Sequence, residues 1–254
     1  MRRVYSLLII LTFLAVQFAI LPISLIYTAI NPDLNPEELI TNMIPFQVLA
    51  FGLGAIIVVV IGNIHKNKNT IELSKKSDPL LTVVWIIGGV FLAYLSQIVA
   101  SLINIYILDN PIESANTTNI VDMIFSSPMM VLVVVLFGPI IEEYVFRRAI
   151  FAEIFELFPN KSQGQKVLAF LIAGLVAGLI FALAHGDFTH ILVYLAMSYV
   201  FSFLYVITGR LLVPIMVHIT MNGLVVLLQT VFKDYLEQAD QLQEQLNIII
   251  HMMM

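Results

Sequence analysis

The chain has 254 residues, 60% of them hydrophobic and 11% charged, with a formal net charge of −5. A soluble domain carries about a quarter charged residues, so these proportions and a mean hydropathy of +0.97 exclude a soluble enzyme, a disordered chain and a nucleic-acid binder with a basic face. Cysteine is absent, which removes disulfides, thiolate zinc sites and cysteine nucleophiles together.

A bilayer core about 30 Å thick needs roughly 20 apolar residues per helix. Read with that ruler, the sequence predicts seven spans, at 5–30, 44–64, 80–108, 129–141 running on to about 158, 167–184, 188–208 and 211–232. The fold class is therefore all-α, a polytopic helical membrane bundle. The first run follows Arg2 and Arg3 but is too long for a signal-peptide core and lacks a small-residue cleavage site, so it reads as a retained anchor. Residues 65–78 read as a polar cytoplasmic loop and 110–127 as an external loop with turn formers. Gly174 and Gly178 form a small-xxx-small pair for close helix approach. Residues 233–254 form an acidic, glutamine-rich tail with room for an interfacial helix. Three parts result: N-terminal spans over 1–128, a core over 129–232, and the tail.

Loop charge tests the count. Lysine and arginine favour the cytoplasmic side. Seven spans with the N-terminus inside put Arg2, Arg3, Lys66, Lys68, Lys75, Lys76, Arg147, Arg148, Lys161, Lys166 and Arg210 inside and only Lys233 outside. The external segments carry Asp33, Glu37, Glu38, Asp109, Glu113 and Asp122. The expectation is N-in, in a plasma membrane of prokaryotic type.

Ionisable groups at membrane depth are costly and mark function by default. Gln17, Gln47, Gln97 and Gln229 cost less and are expected to hydrogen-bond between helices. Glu142 and Glu143 follow Pro139, which frees backbone groups just before them. Glu143 and Arg147 stand at i and i+4, the spacing of a same-face ion pair; Glu142 lies about 100° away around the helix. One carboxylate is thus paired and the other free to face a cavity, which suits a structural acid and a general base. The same residues also suit a solvated turn at the end of the fourth span. The histidines decide, because His185 one turn after Phe181, and His218 one turn before Asn222, add two intramembrane imidazoles and an amide.

Glu142-Glu143-x-x-x-Arg147, Phe181-x-x-x-His185 and His218-x-x-x-Asn222, in that order, resemble the three-motif signature of the CPBP family. These are the CAAX-protease and bacteriocin-processing (Abi) intramembrane proteases, which include the type II CAAX prenyl endopeptidases. The resemblance covers about residues 129–228. It implies an endopeptidase in which Glu142 activates water and Glu143 with Arg147 supports it. His185 and His218 would polarise the water or, with Glu142, hold a zinc ion; Asn222 would complete the site or steady the oxyanion. No HExxH helix is present, and a metal-free reading has Glu142 and His185 activating water while His218 and Asn222 donate to the tetrahedral oxygen. The implied partner is a membrane-anchored peptide or protein: a prenylated CAAX-type chain, or a hydrophobic peptide such as a pheromone or bacteriocin. A non-proteolytic partner-binding protein, such as an immunity factor or sensor-kinase regulator, is the competing reading. A proton relay through Glu142 and His218 would suit a transporter, but paired broken helices and repeats are missing.

Depth sets a condition. Glu142 lies about 20 Å from the external end of its span and His218 about 10 Å from the cytoplasmic end of its own, so they can meet in the cytoplasmic leaflet. The same count leaves His185 near the external surface. The site therefore requires span five to begin below the membrane, or Gly186-Asp187 to be a turn in a wet cavity lined by Asp187 and His190.

Overall fold

Hydrocarbon offers no hydrogen bonds to a backbone, so a chain this apolar must satisfy its own N–H and C=O groups within helices. The computed structural model describes residues 2–64, 68–158 and 162–232 together with Tyr235, Leu242 and Gln245. It is 84% helical and has no strand among the described residues. The expectations for Lys66, Lys161 and Lys233, and for most of the tail, lie outside those residues.

Helix α1 (Arg2–Phe18) and helix α2 (Ile20–Ile30) follow one another across Ala19. Pro22, which cannot donate to Phe18, accounts for the break in the expected single run. Helix α3 (Pro36–Asn63) begins earlier than expected because Asn35 accepts from the Glu38 N–H, Pro36 sits in the first turn, and Pro45 is tolerated inside. Helix α4 (Thr70–Leu73) is a single capped turn within the cytoplasmic-type loop, and helix α5 (Pro79–Tyr106) is capped by Asp78 in the manner of α3. Residues 110–127 depart from the expected loop: Ser114 caps a true helix, α6 (Ala115–Ser126). After the run described below come α9 (Gln163–Ala184), opened by a Ser162–Gln165 capping box, then α10 (Ile191–Thr208) and α11 (Leu212–Val231).

Among the described residues six stretches are long and apolar enough to cross a membrane: Arg2–Ile30, Pro36–Asn63, Pro79–Tyr106, Gln163–Ala184, Phe188–Thr208 and Leu212–Thr230. The expected fourth span is helical too, but it interrupts its α-register and carries the Glu142–Arg148 charges, so hydropathy alone does not select it. Burial rises from 11% in the first of the six to 50% in Phe188–Thr208, which makes α10 the central helix. Gly174 and Gly178 face it, their missing Cβ atoms leaving room for Tyr199, Leu195 and Ser198. Exposed Leu25, Ile56, Phe91 and Leu95 cover the outside, where lipid is the solvent.

The basic groups gather at one end. Arg2 pairs with Glu153 and Glu156, Glu156 accepts from the Thr70 N–H, Arg148 pairs with Glu72, and Arg210 donates to Ser77 O. At the other end Asn110 donates to Thr189 O and Ser114 to Asp187.

Candidate active site

From Leu132 to Phe155 the chain stays helical but changes register three times. Leu132–Phe137 is π-helical, Gly138–Glu142 (α7) is α-helical, Glu143–Phe151 is π-helical again, and Ala152–Phe155 (α8) restores the α form. Each π stretch widens the helix by one residue per bond, and such segments gather at functional sites. The Gly138 N–H donates five residues back to Val133 O. The equivalent donor for Val134 O would be Pro139, which has no N–H. Asn222 fills the gap from α11, its Nδ2 donating to Val134 O at 2.9 Å. A Cβ on Gly138 would stand 2.8 Å from Val133 O, so this turn admits glycine and little else.

Glu143 and Arg147 are both fully buried, with Arg147 Nε 3.0 Å from Glu143 Oε2. The guanidinium lies between the rings of Phe181 (4.9 Å) and Phe201 (5.3 Å) and donates to Ser198 Oγ at 3.0 Å. Arginine suits this place because its planar fork pairs with a carboxylate while its faces stack on rings. Glu143 Oε1 is 3.0 Å from His218 Nδ1. An ionised carboxylate only accepts, so Nδ1 carries the hydrogen and Nε2 points onward. It points at Glu142, whose Oε2 lies 3.7 Å away. The imidazole is held flat on Phe201, ring centres 5.0 Å apart.

Glu142 is the open member, its side chain 23% exposed, and it faces a cavity of about 360 Å³. His185, His218, Asn222, Tyr194 and Asn116 share the lining. His185 caps α9; its Nδ1 is 2.7 Å from Phe181 O, which can only accept, so Nδ1 donates and Nε2 is left unsaturated. Its ring stacks on Tyr194 at 4.4 Å. The six sequence-selected residues thus divide: Glu143 and Arg147 form a buried pair behind the cavity, and Glu142, His185, His218 and Asn222 line it. Asn222 also holds the backbone of the opposite wall.

His185 shares the cavity lining with Glu142 and His218, and a turn at Gly186-Asp187 follows it. Gly186 turns the chain at φ +66°, a conformation strained for a side-chain-bearing residue. Asp187, expected to line a wet cavity, is instead buried in a closed network. It accepts from Ser114 Oγ (2.6 Å), Thr189 Oγ1 (2.9 Å) and His190 Nδ1 (3.0 Å), which ties the turn to α6. Burial works against charge on Asp187, but the bonds from Ser114, His190 and Thr189 outweigh it and hold the carboxyl below its ordinary value. Helix α6 roofs the cavity through Asn116, Thr117 and Ile120.

Tyr194, Ser198 and Phe201 went unselected in the sequence. Their common face on α10, at i, i+4 and i+7, was the available signal. Of the four glutamines, Gln97 reaches across to Met197 Sδ (2.7 Å), whereas Gln17 and Gln47 line the cavity. Among the described residues Gln17, Gln47 and Gln229 form no interhelical hydrogen bond.

A catalytic zinc usually takes three protein ligands. Among the described residues no three His, Asp or Glu side chains gather closely enough to hold a metal ion. His218 and His185 each keep Nδ1 on a protein acceptor, which leaves Nε2 as the free nitrogen, and His218 Nε2 lies 3.7 Å from Glu142 Oε2.

The chain matches the family of type II CAAX prenyl endopeptidase Rce1-like proteins over residues 124–224, which include all six selected positions. Along nearly its whole length it is similar to the membrane-embedded CAAX protease MroQ of Staphylococcus aureus (strain USA300): 35% identical over 246 residues, covering 97% of this chain and 96% of the relative. This chain belongs to the CAAX protease family. It is similar as well to the putative membrane peptidase YdiL of Bacillus subtilis (strain 168), 36% identical over 244 residues with 94% of each covered. No solved structure matches it. As a CAAX protease family member built of apolar helices, it is a multi-pass membrane peptidase.

Proposed function

We propose that this peptidase hydrolyses a peptide bond in a membrane-anchored substrate, with Glu142 as the general base. The observation that carries the reading is the chain of contacts Arg147–Glu143–His218–Glu142. A buried ion pair fixes one histidine nitrogen, and the other is presented to the one carboxylate that faces the cavity. Counted as formal charges, two carboxylates and one guanidinium leave the cluster one proton short of neutrality; a proton on the Glu142–His218 pair supplies it.

The steps follow from that proton. Glu142 takes a hydrogen from water as its oxygen attacks the scissile carbonyl carbon. His218 Nε2–H, balanced by Glu143, donates a hydrogen bond to the oxygen that becomes negative and keeps its proton when the carbonyl re-forms. Glu142 then returns its proton to the leaving nitrogen as the C–N bond breaks. The steps are written on side chains alone; if a zinc ion binds, Glu142, His185 and His218 are the residues that would hold it and it would polarise the attacking water. The substrate is an extended segment beside a hydrophobic anchor, since the cavity is walled by Phe51, Met130 and Val134 as well as by the polar groups. The relative MroQ is named a CAAX protease, which supports a peptide anchored near its end.

The test uses purified protein in lipid and a quenched fluorogenic peptide carrying a prenyl or acyl anchor. Glu142→Gln should lower the rate at least about 100-fold, the size of a lost general base. A parallel chelator arm reads metal dependence separately. Equal rates for wild type and Glu142→Gln would refute the assignment.

A further inference from the structure

A second cavity, of about 250 Å³, lies at the basic end of the bundle, remote from the roofed site. Among the described residues it is lined by Lys68, Lys76 and Arg210, with the Tyr144 hydroxyl as a further donor and Glu72 as its one acid; Asn63 Nδ2 already donates to Val59 O and to Tyr144 Oη. That acid is already engaged: Glu72 pairs with Arg148 at 3.0 Å and closes the α4 capping box. Arg210 is fixed by donating from Nε and Nη2 to Ser77 O, at 2.9 and 2.7 Å. Among the described residues neither Lys68 nor Lys76 has an ion-pair partner. Three cations thus face a concave space whose only carboxylate is committed elsewhere. Such a space has a surplus of donors and positive field, and the apolar Leu212 (53% exposed) is part of its lining.

We infer that this cavity binds a phosphate-bearing anion, the headgroup of an anionic phospholipid or a soluble phosphate ester. The chemistry is that of basic pockets between transmembrane helices, where ammonium groups meet phosphate oxygens at headgroup level. Phosphate also matches the donor set: two ammonium groups, a guanidinium and a phenol hydroxyl. The exposed Leu212 in the lining favours the lipid source, because an acyl chain can lie against it.

The experiment measures lipid retained by the intact protein after purification from vesicles of equal phosphatidylglycerol and phosphatidylcholine, by native mass spectrometry. Wild type should keep phosphatidylglycerol in preference. Lys68→Gln/Lys76→Gln should lower that preference about tenfold, from the loss of two phosphate-level cations. Lys75→Gln removes an equally basic neighbour outside the cavity and should leave the preference unchanged. Thermal unfolding of the three proteins shows that the substitutions leave the fold intact. Titration with glycerol phosphate separates the sources: weak competition supports the lipid, and saturable binding of glycerol phosphate without lipid retention supports the soluble ester. Equal retention by wild type and the double variant, or an equal loss with Lys75→Gln, would overturn the proposal.

Discussion

Arg147 is not in the lining of the cavity, yet five side chains depend on it. It neutralises Glu143, fills the gap between two rings and anchors Ser198; through Glu143 it orients His218. Truncating one partner of a buried pair leaves the other charged in a low dielectric, a loss of about 3–5 kcal/mol. Arg147→Ala should therefore lower the thermal midpoint in detergent strongly, whereas Glu142→Gln should leave it near wild type. A mild Arg147→Ala would mean that the pair is not the framework of the site. The ion pair itself was legible from the i,i+4 spacing, and so was the His218–Asn222 face. Ser198, Phe201 and Tyr194 were not, because a shared helical face does not tell which other helix it meets. The Asn222 contact with Val134 O was hidden for another reason: it answers a register shift that Pro139 only hints at.

The spans themselves were readable element by element, since about 20 apolar residues must become a helix in lipid. Caps such as Asn35, Asp78 and Ser162 moved their starts outward. Helix α6 was not readable: asparagine, threonine and serine signal turns in water, and its helicity rests on the Ser114 cap and on docking over the cavity. That docking hangs on Asp187, which gives it a pH dependence. The folded carboxyl titrates below its unfolded value of about 3.9, so the stabilisation is complete above that value and is lost as pH falls through the lower, folded one. Acid unfolding followed between pH 5 and 2 should show this loss in wild type and not in Asp187→Asn. Parallel curves for the two proteins would remove Asp187 as the anchor.

At the scale of the molecule, charge divides the bundle into two ends. Arg2, Arg148 and Arg210 meet at one through Glu153, Glu72 and Ser77, and Ser114 and Asp187 meet at the other. By the positive-inside rule we predict that the basic end faces the cytoplasm. The chain has no cysteine, so single substitutions report cleanly. In inside-out vesicles Lys75→Cys should react with an impermeant maleimide and Glu113→Cys should not; the reverse pattern would invert the topology. Within this frame the central claim is that Glu142 and His218 act as one proton-handling unit. Its most direct test is a double-mutant cycle on hydrolysis of the anchored peptide, with Glu142→Gln, His218→Ala and the two combined. Groups that act as a unit are non-additive, so the combined variant should be about as slow as the slower single one. Losses that multiply would show two residues working independently and would contradict the account.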